Sequence, residues 1–130
     1  EYCVRRSFMA LDNYSDRFAH VSGSYTFSSS PSTAFKEIIP KTDVKMAERI
    51  TMQFVNEAAG AHKVKVFGTC RNGAGTVGGT DWTQIGDTID VSATSSSIKS
   101  ISTTGLIAFA ATASGTNGQA MAYDAVLQNL

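Results

Sequence analysis

From Arg49 onward the chain repeats with a period of two, and that period sets what it can fold into. Ile50, Met52 and Phe54 alternate with Arg49, Thr51 and Gln53. Val64 and Val66 share their parity with Cys70, while Lys63 and Lys65 take the other. Ile85, Ile89 and Val91 alternate with Thr88 and Asp90, and Met121, Tyr123, Ala125 and Leu127 with Asp124 and Gln128. Successive side chains of a strand point to opposite faces, so each run reads as a strand with one face inside and one in solvent. Turn-forming residues separate the runs at 56–60, 71–80, 92–97, 103–105 and 114–118. Short alternating strands at this spacing predict an all-β fold, an antiparallel β-sandwich of jelly-roll type over residues 48–130.

One run departs from alternation. Residues 106–113 are apolar on both faces, with alanines around Leu106, Ile107 and Phe109. Two readings stand: a central strand covered on both sides, or a strand whose outer face meets a neighbouring subunit. Residues 1–47 are less regular. Within them, Arg5-Arg6-Ser-Phe8-Met-Ala-Leu11 and Tyr25-Thr-Phe27 have the make-up of strands. Residues 31–39 place apolar side chains at helical spacing and stop at Pro40, which predicts a short helix near residues 32–39. This stretch of 47 residues is read as an N-terminal arm, or first strands, packed on the sandwich and not as a second domain.

A chain of 130 residues with 42% hydrophobic content is long enough to bury a single core. Eleven basic residues balance eleven acidic ones, which argues against nucleic acid or an anionic membrane as the main partner, because both select a basic field. A neutral surface also repels its own copies weakly, which suits a protein that works in an assembly. The apolar run 106–113 is far short of a bilayer span. The first residue is Glu1 and not Met, so the expectation is that something preceded it. Cys3 and Cys70 are the two cysteines, and their number identifies no redox compartment.

The most suggestive motif is Gly73-Ala-Gly75-Thr-Val-Gly78, the G-x-G-x-x-G of dinucleotide-binding loops. That chemistry needs a helix directly after the glycines, because the helix N-terminus holds the pyrophosphate. The residues that follow are Gly-Gly-Thr-Asp-Trp-Thr-Gln-Ile-Gly-Asp, a turn-and-strand composition. A long hairpin tip is therefore expected in place of a nucleotide site. Asp12 and Asp16 open like a calcium loop but lack its central glycine and closing glutamate. His20 and His62 have no metal-ligand partner at suitable spacing, and no Gly-x-Ser-x-Gly elbow exposes a nucleophile. The expectation is a non-enzymatic chain with no catalytic residue, metal or cofactor. Trp82, the single tryptophan, reads either as a sugar-stacking platform or as a plug of the core, with the core preferred.

The order "ITMQFVN", turn, "VKVFGT", Gly-rich tip, "GTDWTQIG", "ISTTG", apolar strand and "AYDAVLQ" resembles the β-sandwich structural proteins of tailed bacteriophages. These include capsid decoration (cement) proteins and tail or fibre modules, and the resemblance spans residues 48–130. It implies a virion structural protein, a homo-oligomer such as a trimer, located on the capsid or tail surface and assembled in the host cytoplasm. It implies a capsid or tail protein as the other partner and transfers no catalytic residue. A carbohydrate-binding or adhesin-like sandwich, with a glycan ligand, is the alternative. Within the arm, Tyr2, Arg5, Arg6, Phe8, Tyr14 and Phe18 are the expected partner contacts. The aromatics there have no regular period with which to build a core of their own, and another copy or a shell surface would bury them.

Overall fold

The computed structural model describes residues 18–28, 34–44 and 47–129. Among the described residues, nine strands carry the fold: β1 (Phe18–Thr26), β2 (Lys36–Asp43), β3 (Arg49–Asn56), β4 (His62–Thr69), β5 (Thr83–Gln84), β6 (Ile89–Val91), β7 (Ser95–Ser102), β8 (Ala108–Ser114) and β9 (Ala120–Gln128). They form two antiparallel sheets. Sheet A has the order β1-β9-β3-β7, and sheet B the order β2-β8-β4-β5 with β6 also on β4. If β5 and β6 are taken as two short pieces of one strand position, this is the eight-position order of a jelly roll. Every connection passes between the sheets except those joining β4, β5 and β6.

The predicted alternation sets the inward faces. Ile50, Met52 and Phe54 of β3 meet Val64 and Val66 of β4, Phe109 of β8 and Met121 of β9 in one buried cluster. Phe27, Ile39, Val44 and Val91 close its ends and sides. Two edge strands come from the first 47 residues: β1 pairs along its whole length with β9, and β2 pairs with β8.

The helix expected near residues 32–39 does not form over its described part, because Lys36–Asp43 is β2. Register shifts between Glu37 and Ile39 and between Ile39 and Thr42 let the consecutive Ile38 and Ile39 both turn inward. Such bulges break the period of two, and the resulting apolar spacing imitates a helix. Pro40 fits here because β2 is an edge strand, where a missing N–H costs no ladder bond. A second correction concerns residues 92–97, expected as a turn: Ser95–Ser97 already belong to β7. An edge strand with a solvent face tolerates serine, and Ser97 donates its hydroxyl to the Asp90 carbonyl at 3.0 Å.

Strand β8 is buried at every position. Its inner face holds Phe109, Ala111 and Ala113. On its outer face, Ala108 and Ala110 lie beneath Trp82, with Phe67, Ala74, Val77 and Ile107 packed around them. The strand is central and covered on both sides by its own chain.

Candidate functional site

The glycine run is the connection from β4 to β5, and it folds back over the outer face of sheet B. Its turn geometry comes from Gly78 at φ 89°, from Gly79 N–H donating to the Thr76 carbonyl at 2.9 Å, and from Trp82 N–H donating to the Gly79 carbonyl at 3.1 Å. Trp82 is 5% exposed, and its Nε1–H donates to the Gly75 carbonyl at 3.0 Å. Gly75 N–H, which would face a phosphate in a dinucleotide loop, donates instead to Asp81 Oδ2 at 3.0 Å. Arg71 Nε lies 3.2 Å from the other oxygen of Asp81. Lys41 of β2 ties the tip down by donating to the Asn72 carbonyl at 2.9 Å. A short strand, not a helix, follows the glycines. The loop supplies its own anion, and its indole is sealed against stacking on a sugar.

The corner where β3 leaves for β4 is organised by Asn56, which is fully buried. Its Nδ2 donates to the carbonyls of Gly60 at 2.8 Å and of Val91 and Ser92 at 3.2 Å each. Its Oδ1 accepts from Ala58 N–H at 3.0 Å. Thr94 sits opposite at φ 51°, a left-handed backbone that a β-branched residue rarely adopts, and its N–H donates to the Ala58 carbonyl at 3.1 Å. A shallow groove of about 290 Å³ opens between Val55, Asn56, Glu57, Thr94, Ser95 and Ser96. It offers one carboxylate, from Glu57, and the hydroxyls of Thr94, Ser95 and Ser96.

The outer face of sheet A is a lattice set by strand register. One row across it runs His20, Val126, Thr51, Ser100, and the next runs Ser22, Asp124, Gln53, Ile98. His20 Nε2 meets Asp124 Oδ1 at 2.8 Å, and Thr51 shares a 2.8 Å hydroxyl bond with Ser100. Ile98 is the one exposed large hydrophobic side chain among the described residues, at 66%. The two edges of this sheet differ in kind. At β7, Lys99 shares the inward parity of Ile101, a placement that discourages further strand pairing. At β1, no described strand pairs with the outer side of Phe18–Thr26, which follows directly on residues 1–17.

Of the expected contact residues, Tyr2, Arg5, Arg6, Phe8 and Tyr14 lie outside the described residues, as do Cys3, Asp12 and Asp16. Phe18 opens β1. Cys70 is exposed, and its thiol donates to the Gly105 carbonyl at 3.2 Å. Among the described residues, no group of three or more His, Cys, Asp or Glu side chains is placed to hold a metal ion. Sequence reasoning passed over Asn56, treated as an ordinary turn residue, and His62, whose parity with Val64 and Val66 is a signal that it points inward.

No protein-family model and no curated protein matches the chain. Among solved structures, it is similar to the SPBc2 prophage-derived protein YomS at 13% identity and a TM-score of 0.49, over 84% of this chain and 94% of that one. It is also similar to a chain of the Bacillus endospore appendages, described as disulfide-linked pili, at 16% identity and a TM-score of 0.48, over 87% and 88% of the two chains. No residue role is carried over from either.

Proposed function

We propose that this chain is a non-enzymatic structural protein of a bacteriophage virion, a capsid decoration protein that self-associates and binds the shell through its N-terminal segment. The observation that carries the reading is where that segment joins the fold. Residues 1–17 hold Tyr2, Phe8, Met9, Leu11 and Tyr14, and they lead directly into β1, an edge strand of sheet A. A segment with apolar side chains among its charges, continuous with a sheet-edge strand, would reach a second copy or a shell protein, where strand pairing satisfies its backbone and pockets take its side chains. Arg5 and Arg6 would sit at the rim of such a contact, steering association more than adding affinity. The formal net charge of zero keeps repulsion between neighbouring copies low. The carbohydrate-binding alternative loses its best aromatic platform, because Trp82 is buried.

Removal of residues 1–17, a cut placed before β1, tests this reading. The full chain should sediment as an oligomer, and the truncated chain as a folded monomer with an unchanged circular dichroism spectrum. A truncated chain that assembles as well as the full one refutes the arm's role. A full chain that stays monomeric and saturably binds a sugar on a glycan array refutes the virion reading as a whole.

A further inference from the structure

His62 is a basic side chain set in an apolar place. It is 1% exposed, and its ring centroid lies 4.6 Å from that of Phe27. A Cβ added to Gly115 would sit 2.5 Å from its Cδ2, so the absence of a side chain at Gly115 is what admits the ring. No hydrogen bond of good geometry reaches either ring nitrogen, and the side chain of Gln119 is the polar group that acts on the ring from nearby.

The surroundings hold little that could accept a proton's charge. On β6, Val91 is the register partner of His62. Asp90 is exposed and paired with Lys63 at 2.6 Å, and Glu57 on the β3–β4 connection is exposed as well. Beyond β1, Phe27 has Tyr25 edge-on at 5.2 Å. Before β9, Gln119 is the nearby polar side chain, and its Oε1 accepts from Gly60 N–H at 3.0 Å.

We infer that His62, Phe27 and residues 115–119 form an acid-operated latch, in which protonation of His62 expels its ring and frees the C-terminal end of β1. A charged imidazolium is strongly disfavoured at a buried apolar site where a neutral amide is the polar group beside it. Burial pushes the His62 pKa below its ordinary 6.5, with the Gln119 side chain opposing the shift. The opened chain takes up its proton near pH 6.5, the closed chain only at lower pH. Closed-state stability is therefore intact above about pH 6.5 and declines as pH falls below it.

What opens is set by the hydrogen bonds at this end. Phe27 N–H donates to the Gln119 carbonyl at 2.8 Å, and Gly118 N–H to the Phe27 carbonyl at 2.6 Å. Next to them β1 has a single strand partner, β9, so the packing of Phe27 against His62 is what holds this end on the core. The latch is independent of what the arm binds.

Hydrogen exchange of the full chain, read by NMR at pH 7.5 and 5.5 and corrected for intrinsic rates, tests the latch. One proton with an ordinary pKa of 6.5 can raise the opening constant by up to about tenfold over that interval. A rise approaching that limit is expected at Phe27 and Gly118, with little change at Ala111 in the central strand. His62→Gln and His62→Phe should both abolish it. Absence of the rise in the natural chain, its persistence in either variant, or an equal rise at Ala111 overturns the proposal. Direct NMR titration of the imidazole needs no variant: a midpoint below 6.5 is expected, and one at or above 6.5 overturns the latch.

Discussion

Replacing Trp82 with alanine tests whether the glycine-rich loop is a lid on sheet B or a free tip. In the folded chain the indole covers Ala108 and Ala110 and is itself flanked by Phe67, Ala74 and Val77. Truncation of a buried tryptophan costs about 3–5 kcal/mol, and the lost bond from Nε1 to Gly75 belongs with that figure at about 1 kcal/mol. The ties from Lys41 to Asn72 and between Arg71 and Asp81 survive the change and still hold the loop near the sheet. The lower end, about 3 kcal/mol, is therefore the expected loss. At about 2.1 cal/mol/K per residue for 130 residues, that loss lowers Tm by about 11 °C. Thermal unfolding followed by circular dichroism measures it. Trp82→Phe, which keeps most of the apolar cover but loses the N–H, should cost about half as much. As the only tryptophan, Trp82 also reports its own burial through blue-shifted emission in the natural chain. A Tm loss below about 3 °C for Trp82→Ala would refute the lid and leave the loop an independent tip.

Asn56→Ala should cost about 2–4 kcal/mol in urea unfolding, because it strands the carbonyls of Gly60, Val91 and Ser92 and the N–H of Ala58 in a buried corner. Asn56→Asp should also destabilise at neutral pH, since its carboxylate would face three carbonyl oxygens where the amide had donated. Thr94→Gly should instead raise the unfolding free energy read from urea titration slightly, by about 0.5 kcal/mol. Relief of the left-handed backbone at φ 51° there outweighs the extra entropy that glycine loses on folding.

The sequence by itself determined the alternating strands β3, β4 and β9 and which way their side chains face. Alternation is a local property of extended backbone, so Ile50, Met52 and Phe54, or Val64 and Val66, turn inward whatever strand lies beside them. The turn clusters near 56–60, 71–80 and 103–105 were legible for the same reason. Failure of the glycine fingerprint was legible too, because the helix it requires is a local feature.

Tertiary structure decided what covers each face. Nothing in residues 106–113 says whether Ala108 and Ala110 meet a neighbour or their own chain; the return of Trp82 across sheet B settles that. Ile38 and Ile39 lie at helical spacing from Ala34 and Phe35, but pairing with β8 drew the segment into a bulged edge strand. The serines of β7 read as turn residues until β3 supplied them a partner. The parity of His62 with Val64 and Val66 carries a signal, passed over in the sequence reading, that it points inward, yet its apolar setting depends on Phe27, Gly115 and Gln119, brought to it from 35 to 57 residues away along the chain. Side-chain direction follows from neighbours in sequence, whereas solvent exclusion and hydrogen-bond supply follow from neighbours in space.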